Sequence, residues 1–376
     1  MAAPSGVQKG LEEIVALESR ICFIDGHQGR LLYEGYDIRD LAANSTFEEV
    51  AYLLWYGKLP TQAQLDDLHQ DLVALRALPP ALMRLIDAMP LSSSPMDVLR
   101  TAVSALALFE PGETKPGPTS IGGARRLTAA LPSIIGHFHR RRAKLPPLRS
   151  RPELSHAAYV VYALLDRDPS ALDARAVDVA LILHADHELN ASTFSARVTA
   201  STLSDLYSAI TSAIGTLKGP LHGGANERAI ELLDEMRTVD RVAPVVRAKL
   251  AAHERIMGFG HRVYKVEDPR ATILREWSRH VGEEHGDLHY YDMLRELVEV
   301  VHREKGLYPN LDLYSGSVYS LIGIPKDLFT PIFAASRIAG WAAHVLEEYS
   351  DLRIIRPTAA YVGRTDLKYV PIGERS

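Results

Sequence analysis

The stretch from Leu217 to Asn226, which reads Leu-Lys-Gly-Pro-Leu-His-Gly-Gly-Ala-Asn, is the most informative part of this sequence. Gly219-Pro220 and Gly223-Gly224 break helices on both sides of His222, so the stretch predicts a turn between two helices. The helix predicted over Ala225–Met236 would point its N-terminal amides and the positive end of its dipole at the turn, where a neutral imidazole or a bound anion is favoured. The same letters also fit a tight turn whose histidine is merely exposed.

The chain on either side of this turn is predicted to be helical almost throughout, because apolar residues recur at helical spacing. Ser45 and Glu48 have the spacing of a capping box at the start of one such helix. The exception is one short β-hairpin near the N-terminus, predicted from Arg20–Ile24 and Arg30–Tyr33 on either side of a glycine-containing turn. The fold class is therefore mainly α.

Composition narrows the class of protein. The chain has 376 residues, of which 47% are apolar and 24% charged, with a net charge of −5. These values suit one large or two medium domains with a sizeable core, and they argue against bulk nucleic-acid binding. Cys22 is the only cysteine, which fits a reducing compartment. The N-terminal stretch Met1–Gly10 has no apolar core of signal-peptide length, and no apolar run is long enough to span a bilayer, so we expect a cytoplasmic protein without a membrane partner.

A cluster of polar residues, His184-Ala185-Asp186-His187-Glu188, ends a predicted helix. Histidine and carboxylate ligands so close together suggest a metal site, although no third ligand follows at a recognised spacing. A histidine that donates a hydrogen bond to a polar substrate is the other functional interpretation. An ordinary helix end fits as well.

The stretch Gly258–Lys265 again holds a histidine, His261, between glycines and a polar run. The glycines allow a ligand to approach the backbone closely, and Arg262 and Lys265 could bind phosphate. The alternative is a polar loop that links two helices.

Asp312 lies between two leucines in the stretch Pro309–Gly316, just before a helix predicted over Ser315–Ile322. An aspartate in apolar surroundings has a raised pKa and can act as a general base. It could equally be the N-cap of that helix.

Arg270, Arg337 and Arg356 are the arginines that most need a partner. Arg337 lies in an Ala-Ala-Ser-Arg-Ile-Ala-Gly context, where an unpaired charge is costly. A substrate carboxylate could pair it bidentately, and an internal salt bridge is the alternative. Several histidines, one aspartate and these arginines suit proton abstraction next to a carbonyl, with the oxyanion held by hydrogen bonds.

The sequence resembles the citrate synthase family, in its short dimeric form, from about Gly10 to Ile372. The resemblance is carried by six motifs in the family's order, which are Ile24–Ile38, His184–Thr193, Gly219–Asn226, Gly258–Arg270, Asn310–Gly316 and Arg356-Pro357. It implies condensation of acetyl-CoA with oxaloacetate and hydrolysis of citryl-CoA, with no permanently bound cofactor or metal and a CoA thioester as co-substrate.

The resemblance also implies a role for each candidate residue. Asp312 would take a methyl proton from acetyl-CoA, His222 would stabilise the resulting enol or enolate, and His261 would polarise the carbonyl of oxaloacetate. The residues implied to bind oxaloacetate are His187, Arg270 and Arg337, with Arg356 reaching in from the partner subunit. Those implied near CoA are Gly258, Gly260, Arg262 and Lys265.

The implied architecture is a homodimer of two-domain subunits. Residues 1–222 and 318–376 would form a large domain, and residues 223–317 a small domain that closes over oxaloacetate. Two alternatives stay open from the sequence. One is 2-methylcitrate synthase, which uses propionyl-CoA and differs by one methylene, and the more distant one is a metal-dependent hydrolase built on His184 and His187.

Overall fold

The computed structural model describes residues 7–11, 14–110, 116–117 and 120–375, and in that part of the chain it contains sixteen α-helices. They are α1 (Ile38–Asn44), α2 (Phe47–Tyr56), α3 (Gln62–Leu75), α4 (Pro80–Asp87), α5 (Pro95–Phe109), α6 (Ile121–Ala143), α7 (His156–Leu165), α8 (Ala171–His184), α9 (Ala191–Ala200), α10 (Leu206–Leu217), α11 (Ala225–Met236), α12 (Val239–Ala251), α13 (Pro269–His285), α14 (His289–Lys305), α15 (Leu311–Ile322) and α16 (Phe329–Ser350). The prediction of a mainly α fold is confirmed. None of these helices combines the length and apolar character needed to cross a bilayer.

The only sheet in the described ranges is small and lies near the N-terminus. Strands β1 (Cys22–Asp25) and β2 (Arg30–Tyr33) pair antiparallel, with Cys22 opposite Tyr33 and Asp25 opposite Arg30. The predicted hairpin is therefore confirmed. A third strand that the sequence did not predict, β3 (Tyr36–Asp37), pairs with the outer end of β2 and runs directly into α1.

Helix α16 lies at the centre of the larger group of helices. It packs against α2, α5, α6, α8, α9 and α10, and both its apolar and its polar side chains are buried along most of its length. Helices α11 to α15 pack mainly on one another, α15 lying against both α11 and α13. One contiguous apolar core nevertheless runs through both groups and includes the buried thiol of Cys22.

The capping box at the start of α2 lies one residue later than predicted. The side chain of Thr46 accepts a hydrogen bond from the backbone N–H of Glu49, and the Glu49 carboxylate accepts one from the backbone N–H of Thr46. Ser45 donates instead to the carbonyl of Leu41 at the end of α1, and Glu48 is buried, where it accepts from the backbone N–H of His156. The assignment to Ser45 and Glu48 was wrong because both side chains serve neighbouring helices.

Replacing either of two helix glycines by alanine should change the free energy of unfolding, but in opposite directions. A Cβ at Gly136 of α6 would lie 2.8 Å from the carbonyl oxygen of Ala163 in α7, whereas at Gly215 of α10 the nearest atom is 3.7 Å away. Gly136→Ala should therefore lower the free energy of unfolding by roughly 1–3 kcal/mol through overpacking. Gly215→Ala should raise it by about 0.5–1 kcal/mol, because alanine is the better helix former. Urea unfolding of both variants tests this, and a loss of stability in both would contradict it.

Candidate active site

The glycine-rich turn folds back on the end of α10. The backbone N–H of Gly223 donates to the carbonyl of Leu217 at 2.9 Å, and that of His222 donates to Gly219 at 2.9 Å. A Cβ at Gly223 would lie 2.4 Å from the carbonyl oxygen of Leu217, so only glycine fits there. Helix α11 follows at Ala225, as predicted, and His222 stands just before its N-terminus.

The imidazole of His222 belongs to a hydrogen-bonded group centred on Ser192. His222 Nε2 lies 2.8 Å from Ser192 Oγ, and the indole N–H of Trp341 donates to the same oxygen at 3.1 Å. Ser192 Oγ also lies 2.8 Å from the side-chain oxygen of Asn190, the N-cap of α9. The single hydroxyl proton thus has two acceptors. When it is donated to His222 Nε2, the proton of the neutral ring is on Nδ1, which is then a donor for a ligand.

Electrostatics keep His222 neutral. Burial is the main cause that lowers its pKa to about 4, and the positive charge of Arg337 adds to the effect. At neutral pH this side chain can therefore donate or accept a hydrogen bond without carrying charge, as the dipole argument from the sequence predicted.

His261 lies in a loop shaped by two glycines in the left-handed conformation, Gly258 (φ +84°) and Gly260 (φ +77°). Its Nδ1 accepts hydrogen bonds from the backbone N–H groups of Val263 at 3.0 Å and Tyr264 at 3.2 Å. Because Nδ1 is an acceptor in both bonds, the proton of the neutral ring lies on Nε2. Burial first, and the charge of Arg270 second, lower the pKa of His261 to about 4.

His187 follows the end of α8 and packs against the His261 loop. Its ring centroid lies 5.1 Å from that of His261 and 5.7 Å from that of Tyr264. His187 is buried, and its Nε2 has no partner among the described residues. Burial and then Arg270 hold its pKa well below the ordinary value, so His187 is a third neutral imidazole.

Asp312 lies in the first turn of α15, which begins four residues earlier than predicted. The N-cap is Asn310, whose side-chain oxygen accepts from the backbone N–H of Asp312 at 3.1 Å. The N-cap interpretation of Asp312 is therefore wrong, and no described residue donates a hydrogen bond to its carboxylate. Burial raises the pKa of Asp312 to about 6, although Arg270 opposes the shift.

Two backbone segments hold Asp312 close to His261. Phe259 and Pro309 form a single antiparallel bridge. The N–H of Gly260 donates to the carbonyl of Tyr308 at 2.9 Å, and the N–H of Asn310 donates to Gly258 at 2.9 Å. The loop of the histidine and the helix of the aspartate are thus joined by main-chain hydrogen bonds.

The two buried arginines of the site differ in how many of their hydrogen-bond donors have a partner within the protein. Arg270 is bonded through Nε and Nη2 to both carboxylate oxygens of Asp268, at 3.0 and 2.7 Å. Although burial alone would raise it, Arg270 holds the pKa of Asp268 below its ordinary value. Arg337 donates only through Nε, to the carbonyl of His184 at 2.5 Å. No described residue accepts from its two terminal nitrogens or from Nη1 of Arg270, and these donors suit a carboxylate.

Six of the predicted residues, His187, His222, His261, Arg270, Asp312 and Arg337, are linked by electrostatic interactions. The charges of Arg270 and Arg337 shift the pKa of His187, His222, His261 or Asp312. Arg262 and Lys265 are exposed beyond His261. Arg356 is exposed on a different cavity of about 890 Å³, whose lining includes Leu17–Arg20 and Arg353–Pro357 and none of the six.

The cluster at the end of α8 does not form a metal site in the part of the chain that the structure describes, where no three His, Cys, Asp or Glu side chains converge. His184 donates from Nδ1 to the carbonyl of Ala180 at 2.7 Å, and burial lowers its pKa to about 3. Asp186 accepts from the backbone of Glu188 and lies 3.3 Å from His344. His184 and Asp186 thus make structural contacts within α8, with the residues that follow it and with α16.

Sequence reasoning missed Ser192, Trp341 and Tyr264. Ser192 lies inside the motif His184–Thr193, and this position is the sequence signal that could have identified it as a site residue. Trp341 is far away in sequence, on α16, and only the packing of α16 against α9 brings it to Ser192. Tyr264 is buried against two histidine rings, although it stands in a run of exposed residues.

Comparisons with known proteins identify the family of this chain. Residues 10–358 match the family model described as citrate synthase, C-terminal domain. The chain is 46% identical to a citrate synthase of Haloferax volcanii, over 98% of this chain and 99% of the relative. It is 44% identical to a 2-methylcitrate synthase of Shewanella oneidensis, with 97% of each chain covered.

The fold is also similar to that of a solved citrate synthase from Thermoplasma acidophilum, described as a ternary complex with carboxymethyl coenzyme A and oxaloacetate. The TM-score is 0.92 at 36% identity, over 98% of this chain and all of the other. The family model matches most of the chain, the relatives align over nearly their full length, and the solved structure has the same fold. This chain belongs to the citrate synthase family of acyltransferases.

Proposed function

We propose that this protein condenses acetyl-CoA with oxaloacetate and hydrolyses the resulting citryl-CoA to citrate and CoA. The observation that carries the proposal is the combination at one site of a carboxylate with raised pKa, neutral imidazoles and guanidinium groups with free donors. These are the groups that enolisation of a thioester and binding of a dicarboxylate require. The 2-methylcitrate synthase relative makes propionyl-CoA the second candidate substrate.

Asp312 acts as the base in this proposal. Its carboxylate is free of hydrogen-bond donors, and a pKa of about 6 leaves it ionised at neutral pH yet more basic than an ordinary aspartate. It removes a methyl proton of acetyl-CoA while His222 donates a hydrogen bond to the thioester oxygen. The neutral state of His222 makes it a weak acid matched to an enol or enolate.

His261 acts on the other substrate. Since its proton lies on Nε2, it can donate a hydrogen bond to the carbonyl oxygen of oxaloacetate and polarise that carbonyl for attack. Arg270, Arg337 and His187 bind the two carboxylates of oxaloacetate. Arg270 offers Nη1, since Asp268 engages its other two donor groups, and Arg337 offers both of its terminal nitrogens. Arg337 thereby gains a charged hydrogen-bond partner, which the protein itself supplies only to Arg270.

We further propose the two-domain arrangement that the resemblance implied, with residues 1–222 and 318–376 as large domain and 223–317 as small domain. The packing of α11 to α15 on one another supports this division. Since α15 continues to Ile322, the second crossover between domains would lie within or at the end of that helix. Closure would exclude water from the enolate.

The remaining proposals concern CoA and the subunit interface. Gly258, Gly260, Arg262 and Lys265 are proposed to contact CoA, which enters as co-substrate, and the exposure of both basic side chains supports an anionic ligand there. Arg356 is proposed to act in the partner subunit of a homodimer. Its position outside the cluster of its own chain supports a role in another copy.

The first experiment measures release of CoA thiol in the presence of oxaloacetate, with acetyl-CoA and propionyl-CoA side by side. We expect the larger kcat/KM with acetyl-CoA. A preference for propionyl-CoA would move the assignment to 2-methylcitrate synthase with the same site, since one methylene is worth only about 1–3 kcal/mol. Release with neither thioester would refute the proposed function.

The pH dependence of kcat/KM should report Asp312. The base must be ionised, so kcat/KM is expected to fall about tenfold per pH unit as the pH drops below about 6, the raised pKa of Asp312 in the free enzyme. His222 and His261, with pKa values of about 4, stay neutral through this range. An acid limb near pH 4 instead would assign the base to another group.

Asp312→Asn should lower kcat by at least about 100-fold, because a positioned base contributes roughly 10²–10⁴. The matched control is Asp292→Asn, which changes an acid in the first turn of α14 and should leave kcat unchanged. Near-normal turnover of Asp312→Asn would show that Asp312 is not the base.

Arg337→Lys should raise the KM for oxaloacetate about tenfold or more and leave the KM for acetyl-CoA nearly unchanged. Lysine keeps the charge but loses the bidentate fork, and a charged hydrogen bond is worth roughly 1.5–3 kcal/mol. The control is Arg140→Lys, which alters an equally buried arginine bonded to α7 and Asp166. It should lower stability without changing either KM, and an unchanged oxaloacetate KM in Arg337→Lys would make Arg337 structural.

A further inference from the structure

The tip of the N-terminal hairpin, residues Asp25–Gly29, is a tight and internally bonded turn. Asp25 Oδ1 accepts hydrogen bonds from the backbone N–H groups of His27 and Gln28, both at 2.9 Å. Gly29 takes a left-handed conformation with φ +61° and closes the turn onto β2. Because its own hydrogen bonds fix the tip, a group packed against it is held in place by the contact.

The tip lies directly against the segment that follows His261. The carbonyl of Gly26 accepts from the backbone N–H of Lys265 at 2.8 Å. A Cβ at Gly26 would lie 2.1 Å from the carbonyl oxygen of Val263 and 2.8 Å from its carbon. The contact is between two backbones, so no flexible side chain is present that could move aside.

A second contact extends this interface. A Cβ at Gly29 would lie 3.0 Å from a methyl group of Val266 and 3.3 Å from the carbonyl oxygen of Glu267. Arg39 in α1 donates to the carbonyl of Gly29 at 3.2 Å and ties the tip to the following helix. The hairpin therefore touches the loop at successive residues from Val263 to Glu267.

The geometry of one peptide unit links this contact to His261. The carbonyl of Val263, which Gly26 touches, and the N–H of Tyr264, which donates to His261 Nδ1, belong to the same peptide group. A trans peptide is planar, so the position of its oxygen fixes the direction of its N–H. The contact of the hairpin with the Val263 carbonyl therefore also fixes the Tyr264 N–H that donates to His261.

We propose that Gly26 is a positioning residue for His261, and that the hairpin tip fixes which imidazole nitrogen carries the proton by holding the Val263–Tyr264 peptide in place. The inference rests on the proposed role of His261 as an Nε2–H donor to the substrate carbonyl. It gives the hairpin, far from the site in sequence, a part in the reaction.

The charged groups around His261 do not set its tautomer by themselves. Arg270 and Lys265 disfavour the imidazolium and Asp268 favours it. These charges act on total protonation, whereas the two backbone N–H groups select Nδ1 as the acceptor. A displaced peptide therefore changes the tautomer of a ring that stays neutral.

The test is Gly26→Ala, whose Cβ requires the Val263 peptide to move. The direct readout is the ¹⁵N spectrum of labelled histidine at pH 7.5, in which the His261 signals are assigned by their loss in His261→Gln. We expect the wild type to show His261 protonated on Nε2 and the variant to show a mixture of tautomers. We also expect kcat to fall about tenfold or more, since the donor is then misplaced in part of the molecules.

Two further variants sharpen the outcome. Asp25→Ala loosens the turn without adding an atom to the interface and should shift the tautomer in the same direction, so it carries the test if Gly26→Ala does not fold. His27→Ala removes an exposed side chain of the same tip and should change neither tautomer nor kcat.

An unchanged His261 tautomer in Gly26→Ala, or in Asp25→Ala if only that variant folds, would overturn the inference. A wild type that releases no CoA with either thioester would instead refute the proposed function. Since the tautomer is read without turnover, the two failures are distinguishable.

Discussion

The candidate site depends on the main-chain pairing between residues 258–260 and 308–310. Two reciprocal hydrogen bonds, together with the side-chain amide of Asn310 donating to the carbonyl of Gly260 at 3.1 Å, tie the two segments together. One segment leads into His261 and the other into the helix of Asp312. Side chains acting on two substrates need a fixed separation, and backbone bonds fix it better than contacts between flexible side chains. This pairing favours glycine at positions 258 and 260, where the backbone is left-handed. Gly258 also lies against Leu313, which leaves no room for a side chain.

Burial acts differently on the three kinds of ionisable group in this site. It lowers the pKa of the imidazoles until they are neutral and raises the pKa of Asp312, while the arginines keep their charge because their intrinsic pKa is so high. The result is a set of uncharged donors beside permanent cations and one basic carboxylate. The neutral imidazoles and the more basic carboxylate both follow from the removal of water. The protein thereby obtains different chemical roles from ordinary side chains.

Much of the fold and of the site could be predicted from the sequence, because the turn and cap residues have local causes. The turn around His222 and the start of α11 follow from glycine and proline, whose effects act over a few residues. The capping box of α2 could not be placed correctly, since Ser45–Glu48 and Thr46–Glu49 both fit the pattern and only contacts with α1 and α7 decide between them. The contact of Trp341 with Ser192 depends on how α16 packs on α9, for which no local signal exists. The same holds for the hairpin tip against Val263, which joins segments distant in sequence.

The burial of the single cysteine has a practical consequence for following motion in this protein. Cys22 lies in the core, and burial, with the nearby charge of Asp186 as a second cause, raises the pKa of its thiol, so its thiolate is scarce and shielded from reagents. We therefore expect the native protein to react very little with maleimide dyes. A cysteine introduced on the exposed surface of α14 and another on α3 could carry a donor and an acceptor fluorophore without removing the natural residue. Energy transfer between the two dyes in single molecules would then show whether the proposed closure occurs as substrates are added.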